Sequence, residues 1–266
     1  MNQHILSIYK NSGETPLECL ERVRGEHPEF KNMPMTYAGR LDPMAEGLLL
    51  VLVGDECNKK DEYLNLPKEY EVEVLFGFAT DTYDLLGKIQ TPSASGISPF
   101  AGGEKIQETL KNFTGKIIQK YPPFSSRTVN SKPLFKWARE GRLDEIEIPS
   151  HEVFVSDIKI LKSFSITGEK LLKKIRTEVA KIKGDFRQEE ILKIWEENLT
   201  PQVGLVASNK EGLWPEEFPV VTLSISCSSG TYVRAIAHDL GLFLNTPALA
   251  MKIVRTKIGD YTVDKI

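Results

Sequence analysis

A carboxylate that could act as a nucleophile stands at position 42, followed by Pro43 and then by the apolar run 48–53. A run of aliphatic residues predicts a buried strand, which places Asp42 at the mouth of that strand. A surface turn would explain the aspartate–proline pair. Alternatively, the proline holds a reactive carboxylate rigid at the edge of a cleft, where an ionised oxygen can attack an electrophilic carbon.

A cation with no local explanation is Arg234, which follows the segment SSG in the first turn of a predicted helix, 231–244. A positive charge at this end of a helix opposes the helix dipole, at a cost of a few tenths of a kcal/mol. Arg234 also lies off the apolar face that the helix is expected to bury, formed by Val233, Ile236, Leu240 and Phe243. An anion would explain the position, and Asp42 and a phosphate group are both candidates. Beside Asp42, the arginine would keep the carboxylate ionised.

The charge of the chain is unevenly distributed. The net charge is −3, yet residues 116–142 contain seven basic side chains and one acidic side chain, interleaved with aromatic residues. Basic and aromatic side chains together are typical of a surface that contacts phosphates and stacks on bases. A solvated basic face with core aromatics is the alternative. Arg127, Lys132 and Lys136 are the candidate nucleic-acid contacts in this window.

The elements that must position these residues alternate between strand and helix patterns without a βαβ rhythm, which predicts an α+β fold with a mixed sheet. Residues 15–24 predict a helix with a capping box formed by Thr15 and Glu18, and with Leu17, Leu20 and Val23 buried. Residues 68–77 alternate strictly, which places Tyr70 on the core face at the start of a strand.

An inserted segment is predicted at residues 165–215. A basic amphipathic helix, 168–183, has six basic and two acidic side chains, and an acidic helix, 185–199, has five acidic and two basic ones. Gly184 separates them, so a helical hairpin with its opposite charges facing each other is expected. Asp185 and Gln188 are the expected caps of the second helix.

Composition excludes several classes of protein. The longest apolar run is about six residues, whereas a membrane-spanning helix needs roughly 20. The N-terminus has no signal-peptide pattern, and the cysteines, Cys19, Cys57 and Cys227, are widely spaced, which is typical of reduced thiols in a cytoplasmic protein. The histidines do not pair with them at zinc-ligand spacing.

Five segments of the chain resemble, in order, the motifs of the tRNA pseudouridine synthase B family. They are GRLDPMAEGLLLVLVG, KEYEVEVLFGFATDTYDLLG, YPPFSSRTVNSKPLFKWAREG, CSSGTYVRAIAHDLG and KIVRTKIGDYTV. The resemblance implies a pseudouridine synthase fold, a largely antiparallel central sheet flanked by helices. It identifies Asp42 with the nucleophile, Tyr70 with the tyrosine that stacks on the base, Arg234 with the partner of the nucleophile and Ile253 with an apolar wall of the uracil pocket.

The implied activity is isomerisation of a uridine in tRNA, at position 55 of the T-loop, after the base is flipped out of its stack. It requires neither a metal nor a nucleotide cofactor. Tyr37 stands where the family has a histidine, and Arg40 replaces a small residue, so a synthase for another RNA uridine is an alternative. A tRNA-binding chaperone that keeps the fold without turnover is a second. We expect a monomer, a single catalytic domain over 1–266, and no C-terminal RNA-binding domain of the PUA type.

Overall fold

A nine-stranded mixed sheet forms the centre of the molecule. The computed structural model describes residues 4–90, 103–199 and 217–262. The main path of the sheet runs β1-β3-β10-β4-β9-β8-β5, and β2 and β11 pair with β3 and β10. Within the described residues, the pairing of β3 with β10 is parallel and the other pairings are antiparallel. The predicted α+β class and the mixed, largely antiparallel sheet are confirmed.

The helices and strands have the following bounds. The strands are β1 His4–Lys10, β2 Met35–Ala38, β3 Glu46–Val53, β4 Lys68–Phe76, β5 Gly115–Lys120, β6 Thr128–Val129, β7 Lys132–Pro133, β8 Ser150–Thr167, β9 Glu217–Cys227, β10 Ala248–Ile258 and β11 Tyr261–Thr262. The α-helices are α1 Pro16–Glu26, α2 Lys60–Leu64, α3 Gly103–Leu110, α4 Leu134–Arg139, α5 Gly168–Lys181, α6 Gln188–Leu199 and α7 Val233–Phe243. None of the helices in these ranges is long and apolar enough to cross a membrane.

The central strands follow their sequence patterns. β3 is buried along its whole length after Glu46. Its leucines at 48, 50 and 52 pack in one hydrophobic cluster and Val51 and Val53 in another. β4 alternates, with Tyr70, Val72 and Val74 buried in the main core. At Gly47, φ is +107° and a Cβ atom would lie 2.3 Å from the carbonyl oxygen of Arg255. A glycine is therefore required where β3 and β10 approach each other.

Two helices bury less of their apolar face than their periodicity predicts. The capping box of α1 is present as predicted, with Thr15 and Glu18 bonded reciprocally. Leu17, however, is 60% exposed and Phe243 of α7 is 58% exposed. Both predictions of burial were wrong, because the sheet covers only part of each apolar stripe.

The predicted helical hairpin is formed by α5 and α6. Arg176 and Glu196 pair across it at 2.8 Å, so opposite charges do face each other. Its first helix begins at residue 168, as predicted. Of the wider segment predicted as inserted, residues 165–167 belong to β8, and residues 200–215 lie outside the described residues. Trp195 is fully buried in the main hydrophobic core together with Leu171 of α5. The hairpin is therefore built into the core of the molecule.

Candidate active site

The loop that carries Asp42 connects β2 to β3, and a buried lysine donates hydrogen bonds to its backbone. Lys10 of β1 is fully buried, and its Nζ donates to the carbonyl oxygens of Ala45 at 2.6 Å and Asn11 at 2.9 Å. A longer contact, 3.4 Å, reaches the carbonyl of Pro43. Burial lowers the pKa of Lys10 to about 8. Lys10 thus fixes the turn after Asp42. No pattern in the sequence singled out this lysine.

A second buried cation holds the residues before the aspartate. Arg255 of β10 is 1% exposed. Its guanidinium donates to the carbonyl of Leu48 at 2.7 Å, and to those of Arg40 and Gly39 at 3.2 Å each. Ile253 and Arg255 are two residues apart and lie on the same, inward side of β10. A cation at an inward position of a strand is the sequence signal that could have revealed Arg255.

Arg234 lies against Asp42. Its Nε donates to Asp42 Oδ2 at 2.7 Å, and its two terminal nitrogens donate to the carbonyls of Thr82 at 2.6 Å and Phe124 at 3.0 Å. The arginine side chain is 3% exposed, whereas the aspartate side chain is 40% exposed. Burial lowers the pKa of Arg234, but the charges of Asp42 and Asp84 outweigh this effect and raise the pKa above its ordinary value. The guanidinium is therefore a permanent charge that holds one oxygen of the Asp42 carboxylate.

A cavity of about 270 Å³ opens beside this ion pair. Tyr70 and Ile253 line it together with Asp42 and Arg234, so the structure brings these predicted residues to one site. Burial raises the pKa of Tyr70, and Arg255 acts in the opposite direction. The phenol is therefore protonated at neutral pH. The remaining lining residues are Gly39, Arg40, Leu41, Ala45, Leu64, Lys68, Ser125, Ser126, Ser229, Gly230, Thr231, Tyr232, Val233 and Arg255.

A second cavity of about 410 Å³ also opens at Asp42 and shares the Asp42–Arg234 ion pair with the first. Tyr37 and Arg40 line it, so these two predicted residues also lie at the site. Asp84, which faces this cavity, is buried, and burial raises its pKa to about 6, against the opposing effect of Arg234. The other aromatic and basic residues around the second cavity are Phe124, Phe135, Arg139, Phe186 and Arg187.

The three basic residues predicted to contact RNA lie outside both cavities. Arg127 stacks its guanidinium on Tyr121, 5.1 Å from the ring centre. Lys132 forms an ion pair with Glu140, whereas Lys136 is exposed and has no ion-pair partner among residues 4–90, 103–199 and 217–262. In the same ranges there is no group of three or more His, Cys, Asp and Glu side chains that could hold a metal ion.

A mixed sheet with a carboxylate–arginine pair beside a base-sized cavity is the arrangement expected of a pseudouridine synthase. Residues 29–188 match the model of the TruB family pseudouridylate synthase (N terminal domain), which is more than half of the chain. The chain belongs to the TruB family.

Relatives of known name resemble the chain over almost its whole length. The "tRNA pseudouridine synthase B" of Caldanaerobacter subterraneus subsp. tengcongensis is 28% identical over 260 residues, 98% of this chain and 70% of that protein. The protein of the same name from Bacillus pumilus is 30% identical over 268 residues, 98% of this chain and 67% of its own length.

Among solved structures, a chain of a "Cbf5-Nop10-Gar1 Complex" has a TM-score of 0.56 and 18% sequence identity. The match covers 98% of this chain and spans 50% of that one. At this identity the similarity establishes the shared fold.

Proposed function

We propose that this protein isomerises a uridine of tRNA to pseudouridine, and that its target is position 55 in the T-loop. The observation that carries the proposal is the 2.7 Å pair of Asp42 and Arg234 at the mouth of a cavity walled by Tyr70 and Ile253. Membership of the TruB family and the names of the relatives support the same activity.

The reaction is balanced without an oxidant or a co-reactant. The bond between N1 of uracil and C1′ of ribose breaks, a bond from C5 to C1′ forms, the proton of C5 leaves and N1 gains one. Asp42 is the nucleophile that adds to the uridine and allows the base to detach and turn. Arg234 holds one carboxylate oxygen at 2.7 Å, which fixes the direction from which the carboxylate attacks.

Tyr70 and Ile253 form the walls between which the uracil lies. The raised pKa of Tyr70 favours stacking of the neutral phenol ring over action as a phenolate base. Because a stacked loop hides the glycosidic bond, the nucleotide is first extruded, which costs a few kcal/mol. Stacking against an aromatic ring stabilises the extruded base by about 1–3 kcal/mol, which offsets part of this cost.

In this proposal the tRNA lies over both cavities, where Tyr37 and Arg40 contact the loop. Arg127, Lys132 and Lys136 extend the positive surface toward the phosphates of the T-stem. The protein acts as a monomer and as one catalytic unit, in the cytoplasm, with neither a metal nor a nucleotide cofactor.

Mapping of pseudouridine by primer extension on carbodiimide-treated tRNA tests the proposal. The wild-type protein and the control Asp55→Asn, a change of an exposed carboxylate, are expected to modify the T-loop uridine. Asp42→Asn is expected to give no product. Product at another uridine would favour a synthase with another target, and binding of tRNA by the wild-type protein without product would favour a chaperone.

A further inference from the structure

The loop between α5 and α6 places an arginine between two segments of the candidate active site. Arg187 makes a bidentate ion pair with Asp81, with Nη1–Oδ2 at 2.6 Å and Nη2–Oδ1 at 3.3 Å. The side chains are 17% and 15% exposed, so the pair is largely withdrawn from water. The same guanidinium lies over the ring of Phe124, with its carbon 4.3 Å from the ring centre.

Both partners of Arg187 adjoin the carbonyl groups that hold Arg234. Asp81 immediately precedes Thr82, whose carbonyl accepts a hydrogen bond from Arg234 at 2.6 Å. Phe124 itself supplies the other carbonyl, at 3.0 Å. One guanidinium from the hairpin therefore connects the two loops that orient the guanidinium paired with Asp42.

The hairpin is anchored well enough to act as a support. Trp195 of α6 is fully buried, and its Nε1 donates to the carbonyl of Gly87 at 3.2 Å. Lys88 and Glu190 form an ion pair beside it. Both contacts reach the same turn, residues 80–89, that contains Asp81.

The backbone of Arg187 adopts a conformation that is uncommon for a residue other than glycine. Its φ is +62°, in the left-handed region. This conformation costs a non-glycine residue about 1–2 kcal/mol, which glycine would avoid. The contacts of the side chain with Asp81 and Phe124 offset this cost.

We infer that Arg187 is a positioning residue of the isomerisation: by binding Asp81 and Phe124 it holds the carbonyl pair that fixes Arg234, and through Arg234 the carboxylate of Asp42. This role rests on the proposed function, because it concerns the same site. It assigns the α5–α6 hairpin to the catalytic geometry, in addition to its packing in the core.

Arg187→Gly tests the inference, because glycine removes the side chain and relaxes the backbone. The matched control is Arg176→Ala, which breaks an exposed ion pair within the same hairpin. Under single turnover with saturating tRNA, Arg187→Gly is expected to lower the rate roughly 10- to 100-fold, as small misplacements of a reacting group do. Its affinity for tRNA is expected to stay within about twofold of wild type because the side chain, although it lines the second cavity, is only 17% exposed and its charge is already paired with Asp81.

Arg187→Lys separates geometry from charge. Lysine keeps the charge but cannot form the bidentate pair and stack on Phe124, so a rate between those of the glycine variant and the wild type is expected. A full rate in Arg187→Gly would overturn the inference. So would a tenfold loss of tRNA affinity at an unchanged single-turnover rate, which would assign Arg187 to RNA binding.

A crystal structure of Arg187→Gly without RNA gives a readout that does not depend on activity. The distance from Arg234 Nε to Asp42 Oδ2 is expected to lengthen beyond 2.7 Å, or the two carbonyls to move apart. An unchanged geometry would overturn the inference. Absence of pseudouridine with the wild-type protein and Arg176→Ala would instead refute the proposed function, so the two failures are distinguishable.

Discussion

Replacing Arg234 by lysine retains the charge beside Asp42 but removes the geometry that three hydrogen bonds define. One ammonium group cannot reach the aspartate and the carbonyls of Thr82 and Phe124 together, since these accept from three different nitrogens of the guanidinium. Two acceptors would then be left without their donor. Each unsatisfied buried acceptor costs about 1–3 kcal/mol, so a loss of about 3 kcal/mol in the free energy of unfolding is expected.

Thermal and urea unfolding measure this loss directly. For a chain of this size, 1 kcal/mol corresponds to roughly 2–4 °C, so Tm is expected to fall by about 6–12 °C. Formation of pseudouridine at a temperature where the variant is folded is expected to fall at least about 100-fold, because the carboxylate loses its fixed orientation.

Arg24→Lys is the matched control, since Arg24 also donates to two backbone carbonyls but lies at the surface of α1. Its effect is expected to stay within about 0.5 kcal/mol. If Arg234→Lys unfolds at the wild-type temperature and turns over tRNA at the wild-type rate, the hydrogen bonds of Arg234 to the carbonyls of Thr82 and Phe124 do not position Asp42.

Three further predictions concern other groups around the site. Lys10→Met leaves the carbonyls of Asn11 and Ala45 without the ammonium donor. The free energy of unfolding, measured in urea, is expected to fall by about 2–3 kcal/mol. An unchanged urea midpoint would contradict this prediction. Because burial raises the pKa of Asp84 from 3.8 to about 6, the proton it binds stabilises the fold at low pH, and this contribution is lost as pH rises through 6. Between pH 5 and 7.5 the wild type is therefore expected to lose about 1–1.5 kcal/mol relative to Asp84→Asn; parallel pH profiles would exclude it. Lys136→Ala is expected to reduce the salt slope of tRNA binding by up to about one, and Lys132→Ala by less, because Glu140 already pairs with Lys132; equal slopes would contradict this difference.

The sequence predicted those features of the fold that depend on residues close together in the chain. The capping box of α1 depends on residues three apart, and the alternation of β4 depends on the pleat of a strand, so both could be predicted. Leu17 and Phe243 satisfy the helical period but are exposed, since periodicity specifies a stripe and not how far a neighbouring sheet covers it.

The residues that hold the candidate site in place could be identified only from the three-dimensional structure. Lys10 bonds a carbonyl 35 residues away, Arg255 one 207 residues away, and Arg187 an aspartate 106 residues away. Their acceptors are mainly backbone carbonyls, which have no signature in the side-chain pattern. Arg234 could be singled out because it opposes a helix dipole, which is a local anomaly. The residues alone left both Asp42 and a phosphate as candidates for its partner, and the family resemblance favoured Asp42.

The position of β10 between β3 and β4 constrains how this protein can be made. A nascent chain that has emerged from the ribosome only as far as β9 leaves one edge of β3 and one edge of β4 without the partner strand that β10 provides. Unpaired edges of this kind readily associate with other chains. Synthesis of β10 therefore adds Ile253 to the cavity beside Asp42 and gives both strand edges their partner.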